Sequence, residues 1–88
     1  MYIHLGSDTV VNSKDIIAIM DMDTATVSKN SRDFLRQGQY KGNVINVEEE
    51  QIPKSFVVCK KNKDFVIYIT NISSKTLEGR VKKLKEAE

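Results

Sequence analysis

Apolar residues in this chain come in short bursts separated by turn-forming residues, a spacing that predicts strands before anything else. Tyr2, Ile3 and Leu5 begin a stretch that Gly6-Ser7-Asp8 interrupts, which reads as a strand and a tight turn. Thr9-Val10-Val11 is a short β-branched strand closed by Asn12-Ser13. Ile16 to Met20 runs apolar without a break between Asp15 and Asp21. Its length and isoleucine content predict a buried central strand rather than a helix. Three strands in close succession imply an antiparallel meander.

The pattern changes at Asp23. Residues 24–29 form a polar linker, and Ser28 or Asn30 is placed to cap a helix running to about Gln39. Phe34 and Leu35 supply its apolar contacts, while Lys29, Arg32 and Arg36 recur at spacings of three and four and share one face. Asn43 to Val47 is again strand-like and runs into the acids Glu48, Glu49 and Glu50. Pro53 then holds Ile52 extended. Ser55 to Lys60 and Phe65 to Ile69 are the clearest strands, joined by a hairpin turn over Lys61-Asn62-Lys63-Asp64. Ser73-Ser74 stands before Lys75-Thr76-Leu77-Glu78 at capping-box distance, with the register open by one residue. The helix that follows aligns Leu77, Val81 and Leu84 in one stripe and ends in Lys82, Lys83 and Lys85, which suits its dipole. The expected fold class is α+β, a small, mostly antiparallel sheet of five to six short strands with two helices. Residues 1–78 form the domain and 79–88 a basic helical tail.

Composition narrows the chemistry. The chain has 88 residues, 40% apolar and 30% charged, the profile of a folded globular protein. A chain of this size supports one small core and leaves little space for a walled active site, which argues against an enzyme. The longest apolar run is five residues, against roughly 20 for a membrane span. The N-terminus has no basic stretch followed by an apolar one, so a cytoplasmic location is expected. Cys59 is the single cysteine and lies in a strand, where a small core hydrophobe is expected. His4 is the single histidine and suits a structural place in the first strand. One His and one Cys cannot build a zinc site. Asp8, Asp15, Asp21 and Asp23 spread over a turn and strand ends, where carboxylates cap backbone, without the loop pattern of a calcium hand. The glycines form no phosphate-cradling loop. No catalytic residue, metal, cofactor, small-molecule substrate or membrane partner is expected.

Charge changes the picture. The net +2 averages unlike parts, for setting aside the three acids at 48–50 leaves +5 on the rest. Twelve of the fourteen cations fall in four groups: Lys14; Lys29, Arg32, Arg36 and Lys41; Lys60, Lys61 and Lys63; and Arg80, Lys82, Lys83 and Lys85. Such groups suit phosphate contacts, although no recognition-helix signature accompanies them. The aromatics Tyr2, Phe34, Tyr40, Phe56, Phe65 and Tyr68 are mostly placed like core. Residues alone define a small binding or scaffold domain.

Four segments carry a resemblance: Met1-Tyr2-Ile3-His4-Leu5-Gly6, Asp15-Ile16-Ile17-Ala18-Ile19, Pro53-Lys54-Ser55-Phe56-Val57-Val58, and Ile72-Ser73-Ser74-Lys75-Thr76-Leu77. In this order and length the chain resembles the extracellular matrix regulatory protein family of Firmicutes (the RemA/RemB-like proteins), the B type in particular. The resemblance implies a DNA-binding transcriptional regulator of biofilm-matrix genes, with subunits assembled in a ring around which DNA wraps. It also implies phosphate contacts at Lys14, where the A type carries an arginine, and at Lys54. That lysine closes the loop in which the A type has an arginine pair and this chain has Glu48-Glu49-Glu50. Arg32 and Arg36 are further candidates. The alternative is a ring-forming interaction module that meets a protein partner through the acidic run and does not bind DNA directly.

Overall fold

The apolar run from Phe56 to Cys59 becomes the centre of the fold. The computed structural model describes residues 1–23 and 29–87. Along them run β1 (Tyr2–Gly6), β2 (Thr9–Asn12), a 3₁₀ turn (Ser13–Asp15), β3 (Ile16–Asp21), α1 (Lys29–Tyr40), β4 (Val44–Asn46), β5 (Ser55–Lys61), β6 (Asp64–Thr70) and α2 (Ser74–Ala87). The first five residues of β5 are all buried. Its alternating side chains feed two cores. Val57 and Cys59 join Ile3, Leu5, Val11 and Leu77 on one face, while Phe56 and Val58 join Ile67 on the other. Strand periodicity therefore puts both faces of β5 under cover.

The strands make two sheets rather than one. β1 and β2 form a separate antiparallel hairpin, and the remaining four strands run in the order β3-β5-β6-β4. The pairs β3–β5 and β5–β6 are antiparallel, while β4 and β6 are parallel. The expected meander ends at the 3₁₀ turn, where the Asn12 side chain accepts the Lys14 N–H at 3.0 Å. That bend leads β3 away from β2 and onto β5. β3 is consequently an edge strand, not the expected central one. Its register shifts between Ile16 and Ala18, leaving Ile17 without a partner on β5 and 54% exposed. A bulge at an edge has this effect.

The β1–β2 hairpin and α2 cover one face of the larger sheet, and α1 covers the other. Two buried hydroxyls fasten the hairpin side. Thr70 Oγ1 donates to the Leu5 carbonyl at 2.5 Å and accepts the Ile72 N–H at 3.1 Å. Ser55 Oγ donates to the Ile72 carbonyl at 2.6 Å. On the opposite face α1 lies close to β6 because Gly38 has no side chain. A Cβ there would stand 2.7 Å from Ile67 Cδ1. The Asn43 N–H donates to the Gly38 carbonyl at 2.9 Å, with Gly42 at φ +75° between them, which closes the helix as a Schellman motif. Ser28 and the linker 24–28 lie outside the described residues, and Asn30 is inside α1 and not its cap. At α2 the open register resolves to Ser73, whose Oγ accepts the Thr76 N–H at 3.3 Å. The β5–β6 turn is tighter than expected: Lys61 pairs with Asp64, leaving Asn62 at φ 57° and Lys63 as the turn, and Asn tolerates that left-handed geometry.

Candidate nucleic-acid interface

Strand pairing decides which cations meet. Ile16 at the start of β3 pairs with Cys59 near the end of β5. The 3₁₀ turn that carries Lys14 therefore lies beside Lys60 and Lys61, with Lys63 in the adjoining turn. α2 reaches the same end of the molecule, where Lys14 and Lys85 flank a hollow floored by Val81 and Leu84. Lys14, Lys60, Lys61, Lys63 and Lys85 are all exposed, and together they make one basic end. Asp15 and Asp64 stand among them.

Lys54 is elsewhere. It is exposed and precedes β5, where its N–H donates to the Thr70 carbonyl and its own carbonyl accepts the Met22 N–H, each at 2.9 Å. The length of β5 separates it from Lys14 by on the order of 20 Å, at about 3.3 Å per residue. Arg32 and Arg36 are exposed on α1, across the sheet from α2. The four sequence-predicted residues thus fall at three places and do not converge. Sequence reasoning kept Lys60, Lys61, Lys63 and Lys85 apart from Lys14, and the missing signal was the antiparallel β3–β5 register.

The acidic run occupies the opposite end. Between β4 and β5 the chain turns through Glu48, where the Gln51 N–H donates to the Glu48 carbonyl at 3.2 Å. Glu49 and Glu50 are exposed, and Ile52 beside them is 82% exposed. The chain is therefore charge-polarised along the strand direction, basic at one end and acidic at the other.

Several other titratable groups hold the backbone or lie in the core. His4 is exposed, and its Nε2 donates to the Ser7 carbonyl at 2.6 Å, holding the β1–β2 turn. Asp21 Oδ1 accepts the Asp23 N–H at 2.9 Å, a strand-end cap of the expected kind. Asp64 is held below the usual carboxylate range by the Phe65 N–H first and the Asn43 amide second. Burial, and then the Asp15 charge, pushes the Cys59 thiol up to about 11. Several aromatics depart from core placement: Tyr2 is 70%, Phe65 45% and Phe34 37% exposed, the two phenylalanines meeting edge to face at 6.5 Å. No helix among the described residues is long and apolar enough to cross a membrane.

This two-sheet α+β unit with a basic end matches the RemA-like family, extracellular matrix regulatory protein A-like, over residues 2–81. The chain belongs to that family of regulatory proteins. It is 36% identical to the extracellular matrix regulatory protein B of Bacillus subtilis strain 168 over 88 residues, which is all of this chain and 99% of its relative.

Proposed function

We propose that this chain is a DNA-binding transcriptional regulator of extracellular-matrix genes, acting without catalysis or cofactor as a ring of copies that grips the phosphate backbone. The observation that carries the reading is the basic end, where Lys14 stands with Lys60, Lys61 and Lys63. Family membership supports the regulatory role. One chain offers few phosphate contacts, whereas repetition around a ring multiplies a weak patch through effective concentration. Lys54, Arg32 and Arg36 serve as outlying contacts.

The test is a titration of promoter DNA across salt. At ~50 mM salt the wild type retards DNA, and affinity falls steeply towards 200 mM. Replacing Lys14, Lys60 and Lys61 by Ala weakens binding uniformly across sequences and flattens the salt slope by roughly 0.9 for every phosphate left without its cation. A Lys14→Ala, Lys54→Ala pair lowers binding while leaving assembly intact. Absence of retardation at ~50 mM salt defeats the reading.

A second reading is favoured by the distance between Lys14 and Lys54 and by the exposed Glu49 and Glu50. In it the assembled chain is an interaction module that captures a protein and leaves DNA alone. Normal assembly without DNA retardation selects it.

A further inference from the structure

A hollow opens between β1 and α2, lined by Tyr2, Ile3, His4, Arg80, Lys83 and Leu84. Its floor is apolar and its rim carries two cations. Among the described residues β1 pairs on one side only, with β2, and the other edge faces this hollow. Arg80 on α2 reaches over and donates from Nη1 to the His4 carbonyl at 2.8 Å. That bond holds the guanidinium at the rim and leaves its remaining N–H donors free for an anion. Lys83 follows three residues later on the same side of the helix. Tyr2, His4, Arg80 and Lys83 are all exposed.

At the acidic end the same chain presents the complement. Ile52 stands 82% exposed, a bare aliphatic knob with Glu49 and Glu50 three and two residues before it. Among the described residues, neither glutamate is paired with a cation. A solvated isoleucine beside acids and an apolar hollow between cations match in polarity and in sign. They stand at separate places on one chain, the hollow between β1 and α2 and the knob in the loop between β4 and β5, as a contact between two copies requires.

We infer that copies of this chain associate head to tail, the Glu49–Ile52 knob of one seating in the β1–α2 hollow of the next. The inference rests on the assembly reading above and specifies its contact. Two different patches make the interface, and each copy offers one of each. Such a heterologous contact propagates, and it closes into a ring when the rotation per copy divides a full turn. The opposed charges draw copies into register and forbid knob-to-knob and hollow-to-hollow encounters.

The experiment is solution mass by light scattering on the wild type and two charge-reversed variants, with thermal melting as a check on folding. One variant carries Arg80→Glu and Lys83→Glu, the other Glu49→Lys and Glu50→Lys. The wild type is expected at a multiple of its 10.0 kDa chain mass. Each variant alone falls to the single-chain mass at a concentration where the wild type is assembled. Mixing the two restores assembly, since acidic hollow then meets basic knob and basic hollow meets acidic knob. Ile52→Ser, at a side chain outside both cores, weakens association at least tenfold with an unchanged melting temperature. Variants that keep the wild-type mass, or a mixture that stays dissociated, overturn the contact and leave assembly standing. A wild type that stays single-chain overturns the assembly reading as well.

Discussion

Cys59 shows how burial sets chemistry at the scale of one side chain. It is 4% exposed, and its pKa lies at about 11 against an ordinary 9.0. The folded state therefore binds a proton that the unfolded chain releases first. Below pH 9 both states hold the proton and the contribution to stability is complete. As pH rises from 9 to about 11 the unfolded thiol ionises alone, and stability drops by on the order of 2 kcal/mol. Urea midpoints measured from pH 8 to 11 will show this fall in the wild type and a smaller one in Cys59→Val, which keeps an apolar group of similar size. Identical profiles would mean that the thiol does not titrate from a buried site. Tyr68, in contact with the same core, is also raised, by burial first and by Cys59 second. Neither group has the low pKa of a nucleophile.

At the scale of elements, the joint between α1 and β6 is set by one missing side chain. Gly38→Ala gains about 1 kcal/mol in helix propensity, and places a methyl against Ile67 Cδ1, in a core where Ile67 is 2% exposed. The two effects oppose each other. Ile67→Val removes the clashing carbon and alone costs ~0.5–1.5 kcal/mol. The double variant is expected to be more stable than the single effects predict by at least ~0.5 kcal/mol, read from a urea double-mutant cycle. Additive values would show that α1 has room to spare. These elements were legible because local signals are strong: the unbroken apolar run Phe56 to Cys59, the Leu77-Val81-Leu84 stripe, and Ser73-Ser74 at the start of α2. Their arrangement was less so. Nothing near Ile16 reveals that β3 pairs with β5 and not β2, because the choice depends on a partner some forty residues away, near Cys59. The parallel β4–β6 pair is likewise long-range. The candidate site inherits the same limit. Each cation could be found in the sequence, but Lys14 and Lys60 become neighbours only through the β3–β5 register.

For the whole molecule, α2 is the element that joins the parts. Leu77 is fully buried, and Val81 and Leu84 pack on the core shared by hairpin and sheet. Removing residues 79–88 strips those two side chains and the Arg80 bond to β1. The shortened chain is expected to lose several kcal/mol, at ~2–5 kcal/mol for a deleted aliphatic side chain of this kind, and to unfold at markedly lower urea. An unchanged midpoint would show that the hairpin holds without its helix. The Thr70 hydroxyl meets the Leu5 carbonyl across 65 residues of chain, and this separation has a consequence for synthesis. The β1–β2 hairpin leaves the ribosome before β5 and α2, yet a lone two-stranded hairpin is marginal in water. The partners that cover Ile3 and Leu5 are Val57, Cys59 and Leu77, all made in the later part of the chain. Until Leu77 is added the opening strands stay apolar and uncovered, so this core closes as one event only after α2 has begun.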